Sequence, residues 1–68
     1  MAQQTKNAIR RAFIQLLNER PLDKISIKDI AEKGAVNRNT FYYYYADIYA
    51  LVEDILQLEI EAFQTKLR

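Results

Sequence analysis

The chain has no cysteine, histidine or tryptophan, and only one glycine, one proline and one methionine among its 68 residues. Without cysteine there is no disulfide staple and no thiolate metal site. Without histidine the commonest zinc ligand and the commonest general base are both missing. A cysteine-free chain fits a reducing cytoplasm. No apolar run approaches the roughly 20 residues that cross a bilayer, and the opening MAQQTKNAIRRAF lacks the apolar stretch of a signal peptide. Strand-like alternation, internal repeats and low-complexity linkers are also missing.

What remains is a short chain of ordinary globular composition. Half its residues are hydrophobic and 28% are charged, which separates it from disordered sequences. At this length it supports one small domain with a thin core and no large ligand cavity. The net charge of +1 hides an uneven distribution. Up to Tyr45 there are eight Lys and Arg against four Asp and Glu; from Ala46 onward there are two against five. A basic end facing phosphates and an acidic end facing protein or solvent suits this division.

Hydrophobic spacing predicts an all-α protein of four helices. Ile9, Ala12, Phe13, Leu16 and Leu17 recur at helical spacing and predict a helix from Thr5, as N-cap, to about Glu19, stopped by Pro21. Ser26 and Asp29 resemble a capping box for a second helix with Ile27, Ile30 and Ala31 inward, ending near Lys33. Gly34, the only glycine, stands where a sharp turn can use positive φ. Asn37 is a good N-cap for a third helix, with Phe41 and Tyr45 on one face and Tyr42, Tyr43 and Tyr44 spread around the rest. Asp47 caps a fourth helix from Ile48 to about Lys66. That helix carries one apolar stripe of Ile48, Leu51, Val52, Ile55, Leu58 and Ala62, and a second of Leu56, Ile60, Phe63 and Leu67.

Two short helices around a tight turn, the second bearing hydroxyls, amides, a cation and tyrosines, spell a helix-turn-helix. The segment SIKDIAEKGAVNRNTFYYYY also resembles the DNA-binding domain of the TetR family of bacterial repressors. That family's usual pattern here runs roughly A-x-x-A-G-V-S-x-x-T-F-Y-x-H-F, and the similarity covers nearly the whole chain. Ile30-Ala31, Val36, Thr40-Phe41-Tyr42 and Leu51 carry it.

The resemblance implies sequence-specific DNA binding by a transcriptional regulator, most simply a repressor, with no cofactor and no metal. It places Arg38 and Asn39 in the exposed first turn of the recognition helix, for base contacts, with Lys28 reaching a base or the backbone. Arg suits a guanine edge and Asn an adenine edge. Thr40 and Tyr42 match positions that commonly bond phosphate; Asn37, Tyr43 and Tyr44 add contacts of the same kind. Residues 1–46 then form the DNA-binding head. Residues 47–68 form a fourth helix leading to a ligand-binding and dimerisation domain that this chain lacks. The intact protein is expected to be a homodimer on a palindromic operator, released by a small-molecule effector bound in that other domain.

Several positions depart from the pattern. Gly34-Ala35 reverses the usual Ala-Gly, which threatens Ala35 with an unfavourable backbone geometry. Tyr44 replaces a frequent histidine. Tyr45 replaces a frequent phenylalanine, so its hydroxyl needs an outlet. Ile48 stands where a lysine often touches phosphate.

Blander readings apply elsewhere. Lys6, Arg10 and Arg11 read as a solvated helix face, and Glu53, Asp54, Glu59 and Glu61 as an acidic one rather than an acid–base pair or cation site. The chain is not expected to be an enzyme. The rival reading is a helical protein-interaction module using the tyrosines and the second stripe of the fourth helix, with no DNA involved.

Overall fold

The computed structural model describes residues 2–67, with the side chains of residues 3–66. The described residues form helices α1 (Ala2–Leu17), α2 (Ile27–Lys33), α3 (Arg38–Tyr44) and α4 (Ile48–Leu67), with one 3-10 turn at Leu22–Lys24 and no strand. The all-α fold with four helices agrees with the sequence reading.

Helix α1 starts earlier and stops sooner than its spacing suggested. Thr5 lies inside the helix instead of capping it, because Ala2, Gln3 and Gln4 are themselves good helix formers. At the other end, the Glu19 N–H bonds back only three residues, to the Leu16 carbonyl at 2.9 Å, so the last turn tightens before Pro21. Ile9, Ala12, Phe13 and Leu16 are buried as predicted. Leu17, at the end of the stripe, is 42% exposed. With Ile14, Leu22, Val52 and Leu56 it helps to wall an apolar groove of about 220 Å³ between α1 and α4.

Helix α2 has both bonds of the capping box. Asp29 N–H donates to Ser26 Oγ at 3.1 Å, and Ser26 N–H donates to Asp29 Oδ2 at 3.0 Å. Its inner face buries Ile30 and Ala31. The turn after α1 is tied to it by Arg20–Asp29 at 3.2 Å and Lys33–Glu19 at 3.4 Å. Both pairs are partly exposed, and each contributes at most about 1 kcal/mol.

The turn between α2 and α3 corrects the reading of Gly34. Gly34 is right-handed, at φ −86° and ψ 0°, and the positive φ of 59° falls on Ala35. The reason is where the helix ends. Val36 N–H bonds to the Ala31 carbonyl at 2.9 Å and Ala35 N–H to that of Glu32 at 3.2 Å, a Schellman arrangement that puts Ala35 at the left-handed position. Gly34 is small for another reason. A Cβ there would stand 3.3 Å from the Ile30 carbonyl oxygen, and 3.4 Å from both the Ala8 carbonyl oxygen and the Ala12 Cβ of α1.

Asn37 and Asp47 cap the last two helices as expected. Asn37 Oδ1 accepts from Thr40 N–H, and Asp47 Oδ1 from Ala50 N–H, each at 2.8 Å. The core gathers Ile9, Phe13, Leu16, Ile30, Phe41 and Leu51, drawing on all four helices. Burying each large apolar side chain gains about 1.5–3 kcal/mol. Only the first half of α4 joins this core. Leu51 is buried and Ile48, Val52 and Ile55 pack against it, whereas every described side chain from Leu56 to Lys66 is exposed. Leu58 and Ala62 thus drop out of the first stripe. Leu56, Ile60 and Phe63 of the second are 55%, 50% and 62% exposed, and the side chain of Leu67 lies outside the described residues.

Candidate nucleic-acid interface

The residues read as DNA contacts sit on two short capped helices, so their geometry follows from the caps. Ser26 and Asp29 start α2 so that Lys28 points outward, and Asn37 starts α3 so that Arg38 and Asn39 occupy its exposed first turn. Lys28, Asn37 and Arg38 come together on one open groove of about 410 Å³, floored by Ala31 and Val36 and edged by Glu32. Lys28 Nζ lies 4.0 Å from a Glu32 carboxylate oxygen, both side chains being about two-thirds exposed. An exposed pair of that length costs little to exchange for a phosphate.

The remaining predicted contacts divide by exposure. Tyr42 and Tyr43 are 53% and 81% exposed. Tyr44 is half-buried, packs against the core, and meets the Tyr43 ring edge-on at 4.9 Å. Thr40 is half-buried too. Its hydroxyl donates to Asn37 Oδ1 at 3.0 Å, so its proton is turned away from any phosphate. Because Oδ1 receives both Thr40 donors, the Asn37 amide NH2 is left as the outward donor at the helix N-terminus.

At the head of α4, Ile48 turns toward the core, and the next residue, Tyr49, is 73% exposed. Tyr49 was not singled out from sequence. Its signal is its place in the first turn, immediately after the position where a cation was missed.

The larger surprise is at the far end of α3. Arg10 is not a solvated cation and Asp54 is not part of an exposed acidic face. Arg10 Nε donates to Asp54 Oδ2 at 2.9 Å, with the two side chains only 12% and 26% exposed. The Tyr45 hydroxyl donates to the same oxygen at 2.5 Å, which is the outlet its burial demanded. Lys6 Nζ stands 5.6 Å above the Tyr45 ring. The hydrogen bond from Tyr45 holds the Asp54 carboxyl below the usual carboxylate range, aided by Arg10. Burial pushes the Tyr45 phenol up to about 12, with the Asp54 bond adding to it. A signal was available in the sequence: Asp54 lies three residues after Leu51 and just before Ile55, hence on the core side of α4.

Residues 9–55, most of α1 through the packed half of α4, match the family described as bacterial regulatory proteins, tetR family. The chain belongs to that family. Its α2–α3 unit is accordingly a DNA-binding regulator's helix-turn-helix and not an enzyme's site.

Two relatives come from Bacillus subtilis strain 168. The uncharacterized HTH-type transcriptional regulator YxbF is 33% identical over 57 residues, covering 84% of this chain and 15% of YxbF. The uncharacterized HTH-type transcriptional regulator YvdT is 39% identical over 49 residues, covering 72% of this chain and 25% of YvdT. The chain therefore spans a quarter or less of the length of these relatives. No solved structure matches it significantly.

Proposed function

We propose that this tetR-family chain is an operator-reading head acting in transcriptional repression, with α3 in the major groove. Arg38 and Asn39 read bases, Lys28 assists from α2, and Asn37, Tyr42 and Tyr43 hold phosphates. Thr40 and Tyr44 join the phosphate contacts only after turning outward, since one is bonded to Asn37 and the other packs on the core. The observation that carries the reading is the convergence of Lys28, Asn37 and Arg38 on one open groove between two capped helices.

Residues 1–46 form the head, and residues 47–68 connect it to a ligand-binding and dimerisation domain in a longer protein. The exposed Leu56, Ile60 and Phe63 of α4 suit contact with such a domain. Two heads in a homodimer would meet successive major grooves of a palindromic operator in the cytoplasm, with a small-molecule effector acting through the other domain. None of the described helices is long and apolar enough to cross a membrane.

The test is selection of bound duplexes from a random pool by the purified chain, at low and at higher salt. Enrichment of a half-site or palindrome supports the reading. Uniform binding or none removes it and returns weight to a protein-interaction module.

A further inference from the structure

Helix α3 has seven residues, and a single side chain within it, Phe41, is fully buried. A two-turn helix anchored by one fully buried ring and a half-buried Tyr44 is lightly held, so its angle depends on what grips its ends. Its start is gripped by the Asn37 cap and the Schellman turn. Its end is gripped by Tyr45, whose ring packs against Phe41 at 5.7 Å between centroids and whose hydroxyl is bonded to Asp54.

Asp54 Oδ2 is where α1, the end of α3, and α4 meet. It accepts from Arg10 of α1 and from Tyr45, and Arg10 is itself steadied by Asn7 Oδ1. One carboxylate oxygen bonded to two donors on different segments fixes their relative placement more tightly than packing alone. The phenylalanine usual at the Tyr45 position has no hydroxyl to offer, so this link belongs to this chain rather than to the general pattern.

We propose that Asp54 is a positioning residue for DNA reading. Through Tyr45 it sets the angle at which α3 presents Arg38 and Asn39, and so controls sequence selectivity without touching DNA. The inference rests on the reading of α3 as the DNA-reading helix.

The test compares wild type, Tyr45→Phe, Asp54→Ala and the double variant. Two quantities are read: the ratio of affinities for the selected duplex and a random one, and hydrogen exchange of the α3 amides. Each single change is expected to lower the ratio about tenfold, the size of one lost hydrogen bond to a charged group, while random-duplex affinity stays constant. The double variant should lose no more than either single, because both remove the same link. The amides of Phe41 to Tyr45 should exchange about tenfold faster, with those of α1 unchanged in Tyr45→Phe, which leaves the Arg10–Asp54 pair in place.

An unchanged ratio in folded Tyr45→Phe, or fully additive losses, overturns the proposal. Tyr45→Phe deletes one oxygen and keeps the ring, so it carries the test if Asp54→Ala does not fold. If wild type prefers no duplex, the functional reading fails by itself. The exchange data then decide alone whether Asp54 holds α3: faster exchange confined to α3 supports it, and unchanged exchange overturns it.

Discussion

Asn37 Oδ1 takes two hydrogen bonds from Thr40, one from its N–H at 2.8 Å and one from its hydroxyl at 3.0 Å. The cap of α3 therefore uses the oxygen of Asn37 and leaves its NH2 for an outside acceptor. Asp caps a helix as well as Asn does but has no proton to give. Asn37→Asp should leave stability within about 0.5 kcal/mol of wild type, yet weaken binding to every duplex about tenfold by setting a carboxylate against phosphate. Asn37→Ala should cost about 1 kcal/mol of stability. Thermal melts and duplex titrations at one salt concentration separate these effects. Wild-type affinity in Asn37→Asp would remove the amide from the interface.

The turn makes a prediction of opposite sign at adjacent positions. Ala35 pays about 1–2 kcal/mol for its left-handed φ, and glycine there would return part of that in extra unfolded-chain entropy. Ala35→Gly should therefore stabilise the domain by about 0.5–1 kcal/mol. Gly34→Val should destabilise it by about 1–3 kcal/mol, because the added carbons meet carbonyl oxygens of α1 and α2 that cannot step aside. Denaturant midpoints of the two variants decide the matter. Equal midpoints would mean that the turn stores no strain.

These two residues also show what the sequence could and could not convey. The caps at Ser26, Asn37 and Asp47 were legible because each is a contact within three residues, determined by local chemistry. The family's pattern likewise warned that Ala35 would bear the strain. The role of Gly34 was not legible, since it depends on how closely α1 crosses the turn. Arg10 and Asp54 were misread for the same reason. They are 44 residues apart, and a charge on a helix looks solvated until the packing that half-buries it is known. Among the proposed contact residues, exposure separates Tyr42 and Tyr43 from the half-buried Tyr44, a division that four consecutive tyrosines concealed.

Arg38 and Asn39 are exposed and make no contact that the core needs, so their removal should be invisible to folding. Arg38→Ala and Asn39→Ala should each shift the melting free energy by less than about 0.5 kcal/mol. Each should lose about 1–3 kcal/mol of discrimination at one base position. Repeating the duplex selection with each variant would show which position relaxes. If both variants recover the wild-type sequence logo, the reading residues lie elsewhere, with Lys28 and Tyr49 the next to replace.

The Tyr45 phenol gives the domain an alkaline limit. Burial raises its pKa to about 12 from an ordinary 10.0; the Asp54 bond and charge act in the same direction and Arg10 partly opposes them. A folded value above the unfolded one means that the folded state holds its proton longer. The associated stability is therefore complete below about pH 10 and disappears as pH rises toward about 12, a loss on the order of 2 kcal/mol. Ultraviolet titration should show a late phenolate that is absent in Tyr45→Phe. The informative quantity is the stability difference between wild type and Tyr45→Phe, which isolates this one phenol. It should narrow between pH 10 and about 12. A difference that stays constant across that window would show that folding does not raise the Tyr45 pKa.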